Sequence, residues 1–259
     1  MFSRSKKQKE AQELLSQGAG LLKYDDSANF SDQILTKGYE VFTRAAHLFK
    51  KLGDEGKDGE QTCEGYLRMI EGFRHRKNDE WIESMKAFGR ANVQFSAGRD
   101  DALATKVRVE QGRAQMDFAK KKALEGDFPE AARLYESAGA VFQMVSLDKD
   151  AAEARAKAYV QRAAQVKDDF EKAGFLAKAV DEFRKSRKSN EVVEAHALFY
   201  RGRSLLNVKV RDALQMLTRA QEKYERVGAS EQAKRVREII EQVNKGVLDH
   251  AGESGQLNY

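Results

Sequence analysis

Four histidines and one cysteine are the residues of this chain best suited to covalent or metal chemistry: His47, His75, His196, His250 and Cys63. A zinc centre needs such side chains at close spacing, and a helical pair needs them four apart so that both face one ion. Here they are scattered, with no HExxH and no paired spacing. Cys63 has no histidine close by in sequence to take its proton, and it falls where the buried face of a helix is expected. No GxxxxGK[ST] or GxGxxG phosphate cradle occurs, and no GxSxG nucleophile turn. The acidic pairs Asp25-Asp26, Asp100-Asp101 and Asp168-Asp169 stand at expected helix starts, where carboxylates balance the positive end of the helix dipole. The expectation is a protein that is not an enzyme and uses no metal and no cofactor. What remains is non-covalent recognition.

For recognition, the informative residues are cations in a register. Arg44, Arg90, Lys178 and Arg219, with Ser137 in the middle place, each stand immediately before an alanine: Ala45, Ala91, Ala138, Ala179 and Ala220. Four residues beyond each alanine is an aromatic: Phe49, Phe95, Phe142, Phe183 and Tyr224. These anchors are separated by 46, 47, 41 and 41 residues. A regular period of this length marks a repeat architecture. Seven residues before the anchors stand Phe42, Phe88, Tyr135, Leu176 and Leu217, and eight before stand Val41, Ala87, Leu134, Phe175 and Met216. Offsets of this kind fall on one apolar stripe roughly 100° wide on a helix. The cations lie about 115° from the centre of that stripe, at its flank. Stacked hairpins would line them up along the face formed by the first helices. A row of cations there attracts an elongated acidic partner such as a helical bundle.

The positioning elements follow from the same register. Ala104, Ala151, Val192 and Ala233 lie nine residues after their anchors, and Val107, Ala154, Ala195 and Val236 three residues later, which predicts a second helix in each repeat. Two helices of about 15 residues and two short turns fill the period. Gly53, Gly98 and Gly228, three or four residues past their anchors, are expected as left-handed helix caps. Asp127-Phe128-Pro129-Glu130 reads as a capping box that holds the single proline in a first helical turn. Gly59, Gly65 and Gly72 make the second helix of the first repeat the least regular. A further amphipathic helix is expected over about 6–24, then a polar segment 25–32. The aligned repeats form a single helical-repeat domain over 1–247, followed by a flexible tail over 248–259. The fold expected is all-α: a right-handed α-solenoid of antiparallel helix hairpins, with about eleven or twelve helices.

Composition bounds the partners and the compartment. A lone cysteine cannot form an internal disulfide, no apolar run of signal-peptide or membrane-spanning kind is present, and a cytoplasmic protein is expected. The net charge of +5 favours acidic partners. Basic clusters occur at Lys6-Lys7, Arg74-His75-Arg76-Lys77, Lys120-Lys121-Lys122, Arg184-Lys185 with Arg187-Lys188, and Lys234-Arg235. They fall mostly near helix ends and are not interleaved with aromatics free of the repeat core, which disfavours nucleic acid.

The segment GDFPEAARLYESAG over 126–139 resembles the opening of a tetratricopeptide-type repeat. The longer period, with KEAQELLSQGAGLLK over 9–23 and GYEVFTRAAHLFKKLGDE over 38–55, resembles the soluble NSF attachment proteins (SNAPs). That resemblance implies an adaptor of vesicle trafficking and membrane fusion. Its basic face would hold an acidic SNARE-type helical bundle, its C-terminal helices would engage an AAA ATPase, and the loop after the first helix would touch membrane peripherally. In this sequence the apolar residues of that loop are Tyr24 and Phe30. Two other readings of the same residues are a generic TPR-type scaffold for an unrelated partner and a basic surface for anionic lipid or nucleic acid.

Overall fold

The computed structural model describes residues 2–22 and 30–254, all-helical but for turns and with no strand among them. Eleven α-helices follow in order among the described residues: α1 Phe2–Leu21, α2 Asp32–Lys50, α3 Lys57–Lys77, α4 Trp81–Ala97, α5 Asp101–Leu124, α6 Phe128–Met144, α7 Asp148–Gln165, α8 Asp169–Lys185, α9 Glu191–Leu205, α10 Val210–Arg226 and α11 Ser230–Ser254. A short 3-10 turn, Gly53–Gly56, joins α2 to α3. Helices α1 to α4 pack each on the next, and so do α7 to α11, as a helical-repeat architecture requires. The chain forms two compact units, one of residues 1–118 and 140–147, the other of 119–139 and 148–259. Residues 248–254, assigned from sequence to the tail, continue α11.

The core is built from the register of alanines and aromatics. The alanines four before each anchor, Ala45, Ala91, Ala138, Ala179 and Ala220, are all fully buried, and all five anchors are buried behind them. A methyl group is the largest side chain that lets the neighbouring helix come close enough for the aromatic to fill the remaining space. In the first unit, Phe42 stacks on Tyr66 with ring centroids 4.2 Å apart, and Tyr66 in turn meets Phe95 edge-on at 5.1 Å. The glycines of α3 complete this packing. A Cβ on Gly65 would lie 2.7 Å from the Phe95 ring, and one on Gly72 2.6 Å from the Phe88 ring. The irregular-looking second helix of the first repeat is therefore a regular α-helix whose glycines are seats for rings. Gly112 seats Phe142 in the same way.

The helix ends repeat as faithfully as the core. Four residues past each anchor the backbone is left-handed: Gly53 at φ 69°, Arg99 at 59°, Ser146 at 58°, Arg187 at 58° and Gly228 at 74°. In the last four repeats the anchor's own carbonyl then accepts the hydrogen bond that closes the turn, from Asp100, Leu147, Lys188 and Ala229 at 2.8–3.0 Å. This six-to-one bond satisfies a carbonyl that the helix leaves open. Gly53 and Gly228 take the conformation expected of them, but Gly98 does not. Its φ is −80°, and Arg99 occupies the left-handed place. Gly98 is needed for room instead: a Cβ there would lie 2.6 Å from Thr62 Oγ1 and 2.9 Å from the Asp58 carbonyl. The expected inward residue Val192 is 39 % exposed, whereas Val193 is buried. The turn before α9, 186–190, is two residues longer than those at 98–100, 145–147 and 227–229. Asp127 caps α6 through the Glu130 amide at 3.3 Å, as its motif predicts. Asp168 caps α8 through the Glu171 amide at 2.8 Å.

Candidate functional site

The four cations of the register all reach solvent. Arg44 lies on α2 and Arg90 on α4 of the first unit; Lys178 lies on α8 and Arg219 on α10 of the second. Each follows from its helix: the buried alanine beside it fixes the rotation, and one residue earlier, about 100° round, is the flank of the apolar stripe. None of the four forms an ion pair with a described residue. Ser137, in the middle repeat, is half-buried.

Two of the other basic clusters, around Arg76 and Lys185, are treated differently by the fold. Lys77 binds Asp32 at 2.7 Å, Arg76 binds Glu110 at 2.9 Å and Asp117 at 2.9 Å, and Arg74 covers the Tyr39 ring at 5.2 Å. Glu110 is wholly buried and takes a second cation, Arg113, at 2.7 Å. In the second unit Arg155 binds Glu182 at 2.8 Å, joined by Lys185, while Glu153 receives Lys157 at 2.9 Å and Lys188. Burial alone would raise the carboxyls of Glu182 and Glu153. The hydrogen bonds from these cations outweigh it and hold both below the ordinary glutamate range. These clusters serve the fold, with their charge balanced internally. The register cations are among those left to balance from outside.

Sequence reasoning missed a second feature of this surface, because its partners come from different helices. Lys178 lies over two rings, Phe175 at 5.6 Å and Tyr159 at 5.8 Å, which are themselves stacked at 6.5 Å. Lys172 covers Tyr200 at 4.6 Å and Arg201 covers Phe170 at 4.6 Å. The only local signal is the i to i+3 spacing of Phe175 and Lys178 on α8. Each cation holds its head outward over an aromatic face, which orders a long side chain without consuming its charge. Phe175 also borders an open cleft of about 380 Å³ lined by Pro129, Arg133, Glu136, Arg162 and Glu171. Arg133 is paired with Glu130 and Arg162 with Glu136, so the cleft carries no net excess of cations.

The residues weighed for catalysis do not converge. Cys63 is fully buried, and burial, with Glu64 and Glu60 adding to it, pushes its thiol up to about 12. His196 is packed edge-on against Tyr224 at 5.4 Å, and burial lowers its pKa. His75 is bound to Glu80. Among the described residues no group of His, Cys, Asp and Glu could hold a metal ion. No protein-family model and no curated protein matches the chain.

Of the two residues expected in a membrane-touching loop, Tyr24 lies outside the described residues. Phe30 is half-buried with its ring edge-on to Phe73, centroids 5.1 Å apart, so the ring is committed to the core beside α3. No helix among the described residues is long and apolar enough to cross a membrane.

Proposed function

We propose that this protein is a non-catalytic, cytoplasmic adaptor that binds an elongated acidic helical protein through Arg44, Arg90, Lys178 and Arg219. The observation that carries this reading is the contrast in how charge is spent. The clusters around Arg76 and Lys185 are neutralised within their own units, whereas the four register cations are exposed and have no carboxylate partner among the described residues. A cation left without a partner at the same place in four repeats suits an acidic surface with a matching repeat. In the arrangement we favour, hairpins are antiparallel and stacked right-handedly, so that these side chains face one partner. Its resemblance to the SNAPs extends the proposal: the partner would be a membrane-fusion-type helical bundle, and the C-terminal helices would engage an AAA ATPase.

Charge reversal tests the core of the proposal. Arg44→Glu, Arg90→Glu and Arg219→Glu, combined, abolish capture of an acidic helical partner and leave the melting temperature unchanged, because no internal ion pair is lost. Capture that survives the triple variant removes these residues from the binding surface. Affinity purification with the wild-type chain and the variant in parallel, read by mass spectrometry, identifies the partner as the species lost. An AAA ATPase or a membrane-anchored helical protein among those species supports the SNAP-like form; its absence leaves a scaffold for another acidic protein.

A further inference from the structure

We propose that one end of the second unit is a docking surface for an anionic phospholipid membrane. It uses residues other than the four register cations. Three turns meet at this end: 125–127 before α6, 166–168 before α8 and 206–209 before α10. The first two share a cleft, since Pro129 of α6, Gln165 and Val166 beyond Arg162 of α7, and Glu171 of α8 line it together. The third is tied to the second by Arg201 over the Phe170 ring at 4.6 Å and by Arg203 on Asp169 at 3.0 Å, with the 206–209 turn following directly.

On or beside each turn stands one large apolar side chain in water: Leu124, the last residue of α5, at 81 % exposed, Phe170 in the first turn of α8 at 59 %, and Val208 at 77 %. Among the described residues of this unit they are the three most exposed large apolar side chains. Single exposed apolar residues are ordinary on a protein surface, but three converging on adjacent turns at one end are not scattered. Around them stand Lys121, Lys167, Lys172, Arg201, Lys209 and Arg211, none in an ion pair with a described residue. Several carboxylates of this end have partners, while Glu171 and Asp212 are exposed without an ion pair among the described residues. Asp127 and Asp168 cap helices, Asp169 holds Arg203, and Glu125 holds Lys122. What reaches solvent around the apolar tips is a mixed surface with a cationic excess: the six cations unpaired among the described residues stand against Asp127, Asp168, Glu171 and Asp212.

That combination fits a lipid headgroup layer better than a protein groove or a nucleic acid. The tips stand on or beside turns and project singly, so they can enter the boundary between headgroups and acyl chains, while the cations meet lipid phosphates and carboxylates. Base stacking would need free ring faces, and the Phe170 and Tyr200 rings already carry Arg201 and Lys172.

Sedimentation of the full chain with vesicles of phosphatidylcholine, with and without phosphatidylserine, tests the inference. The wild-type chain pellets with the phosphatidylserine vesicles and stays in the supernatant with phosphatidylcholine alone. Leu124→Ser, Phe170→Ser and Val208→Ser together lower the partition by at least about tenfold, with the circular dichroism spectrum and melting temperature unchanged, since all three side chains are exposed. Lys172→Glu with Arg211→Glu lowers it similarly. The Val208→Trp variant shows a blue shift of emission on adding phosphatidylserine vesicles that the wild-type chain, with Trp81 alone, does not. Failure to pellet with either vesicle overturns the inference, as does pelleting that the triple serine variant leaves intact. Capture of polyglutamate or of an RNA oligonucleotide that the serine variant abolishes, with vesicles ignored, overturns it as well. None of these outcomes depends on Arg44, Arg90 or Arg219, so the adaptor proposal stands or falls separately.

Discussion

Cys63 shows how completely the surroundings of a side chain decide its chemistry. The thiolate is the reactive form of cysteine, and burial without a compensating cation leaves almost none of it at neutral pH. With the thiol pushed up to about 12 and no exposure, Cys63 is a small apolar packing residue of α3. We predict that it resists a thiol-specific reagent in the native protein and reacts at the rate of a free thiol once urea unfolds the chain. Rapid native labelling would contradict the burial assigned to it. Glu110 is the converse case: a fully buried carboxylate between Arg76 and Arg113. A charge so placed is tolerable only with its partners present, so this cluster fixes how α3 meets α5. The burial of Cys63 is legible from the helix register, whereas the approach of Arg76 to Glu110 is not, because Arg76 arrives from another helix.

At the scale of the helix, two rules recur through both units: aromatic rings sit on small residues, and each first helix closes through a left-handed residue. Both can be tested by single substitutions. Arg187 holds φ 58° with a side chain that makes no ion pair with a described residue, a conformation that disfavours any residue with a Cβ. Arg187→Gly relieves it, and after the greater chain entropy of glycine is subtracted a gain of up to about 1 kcal/mol is expected in urea unfolding. A loss would show that the arginine side chain contributes something the geometry omits. Gly65→Ala sets opposing effects against each other. Alanine favours a helix by about 1 kcal/mol, but its methyl would lie 2.7 Å from the fully buried Phe95 ring, and overpacking of that kind costs about 1–3 kcal/mol. Net destabilisation is expected, partly relieved when Phe95→Leu is added. Additive effects in the double variant would mean the ring and the glycine are not coupled.

At the scale of the molecule, function on this reading comes from charge that the fold leaves unbalanced. The net charge of +5 is modest, and the ion pairs show where seven of the cations go: onto Asp32, Glu110, Glu153 and Glu182. The exposed remainder includes Arg44, Arg90, Lys178 and Arg219. Binding through such exposed cations is screened by salt, with a screening length of about 8 Å at physiological ionic strength. The association rate with an acidic helical partner is therefore expected to fall steeply as sodium chloride is raised, and the triple Glu variant is expected to lose that dependence. A salt-independent rate would place the binding energy in apolar contacts elsewhere.

The sequence by itself determined the helices, their order and the buried stripe. Those follow from a local period, and a local period is set by helix geometry whatever the neighbours are. It placed Ala45, Ala91, Ala138, Ala179 and Ala220 with their anchors in the core, and all are buried. It also placed the four cations on the flank of the stripe, and they are exposed. Only the tertiary structure decided which cations are spent on buried carboxylates and which remain. It decided as well that Gly98 is needed for space beside Thr62 rather than for its backbone, and that Phe30 rests against Phe73. The cation–aromatic pairs and the apolar tips gathered at the 125–127, 166–168 and 206–209 turns belong to the same class. Each depends on residues far apart in sequence, and the spacing along one helix carries no information about what another helix brings alongside it.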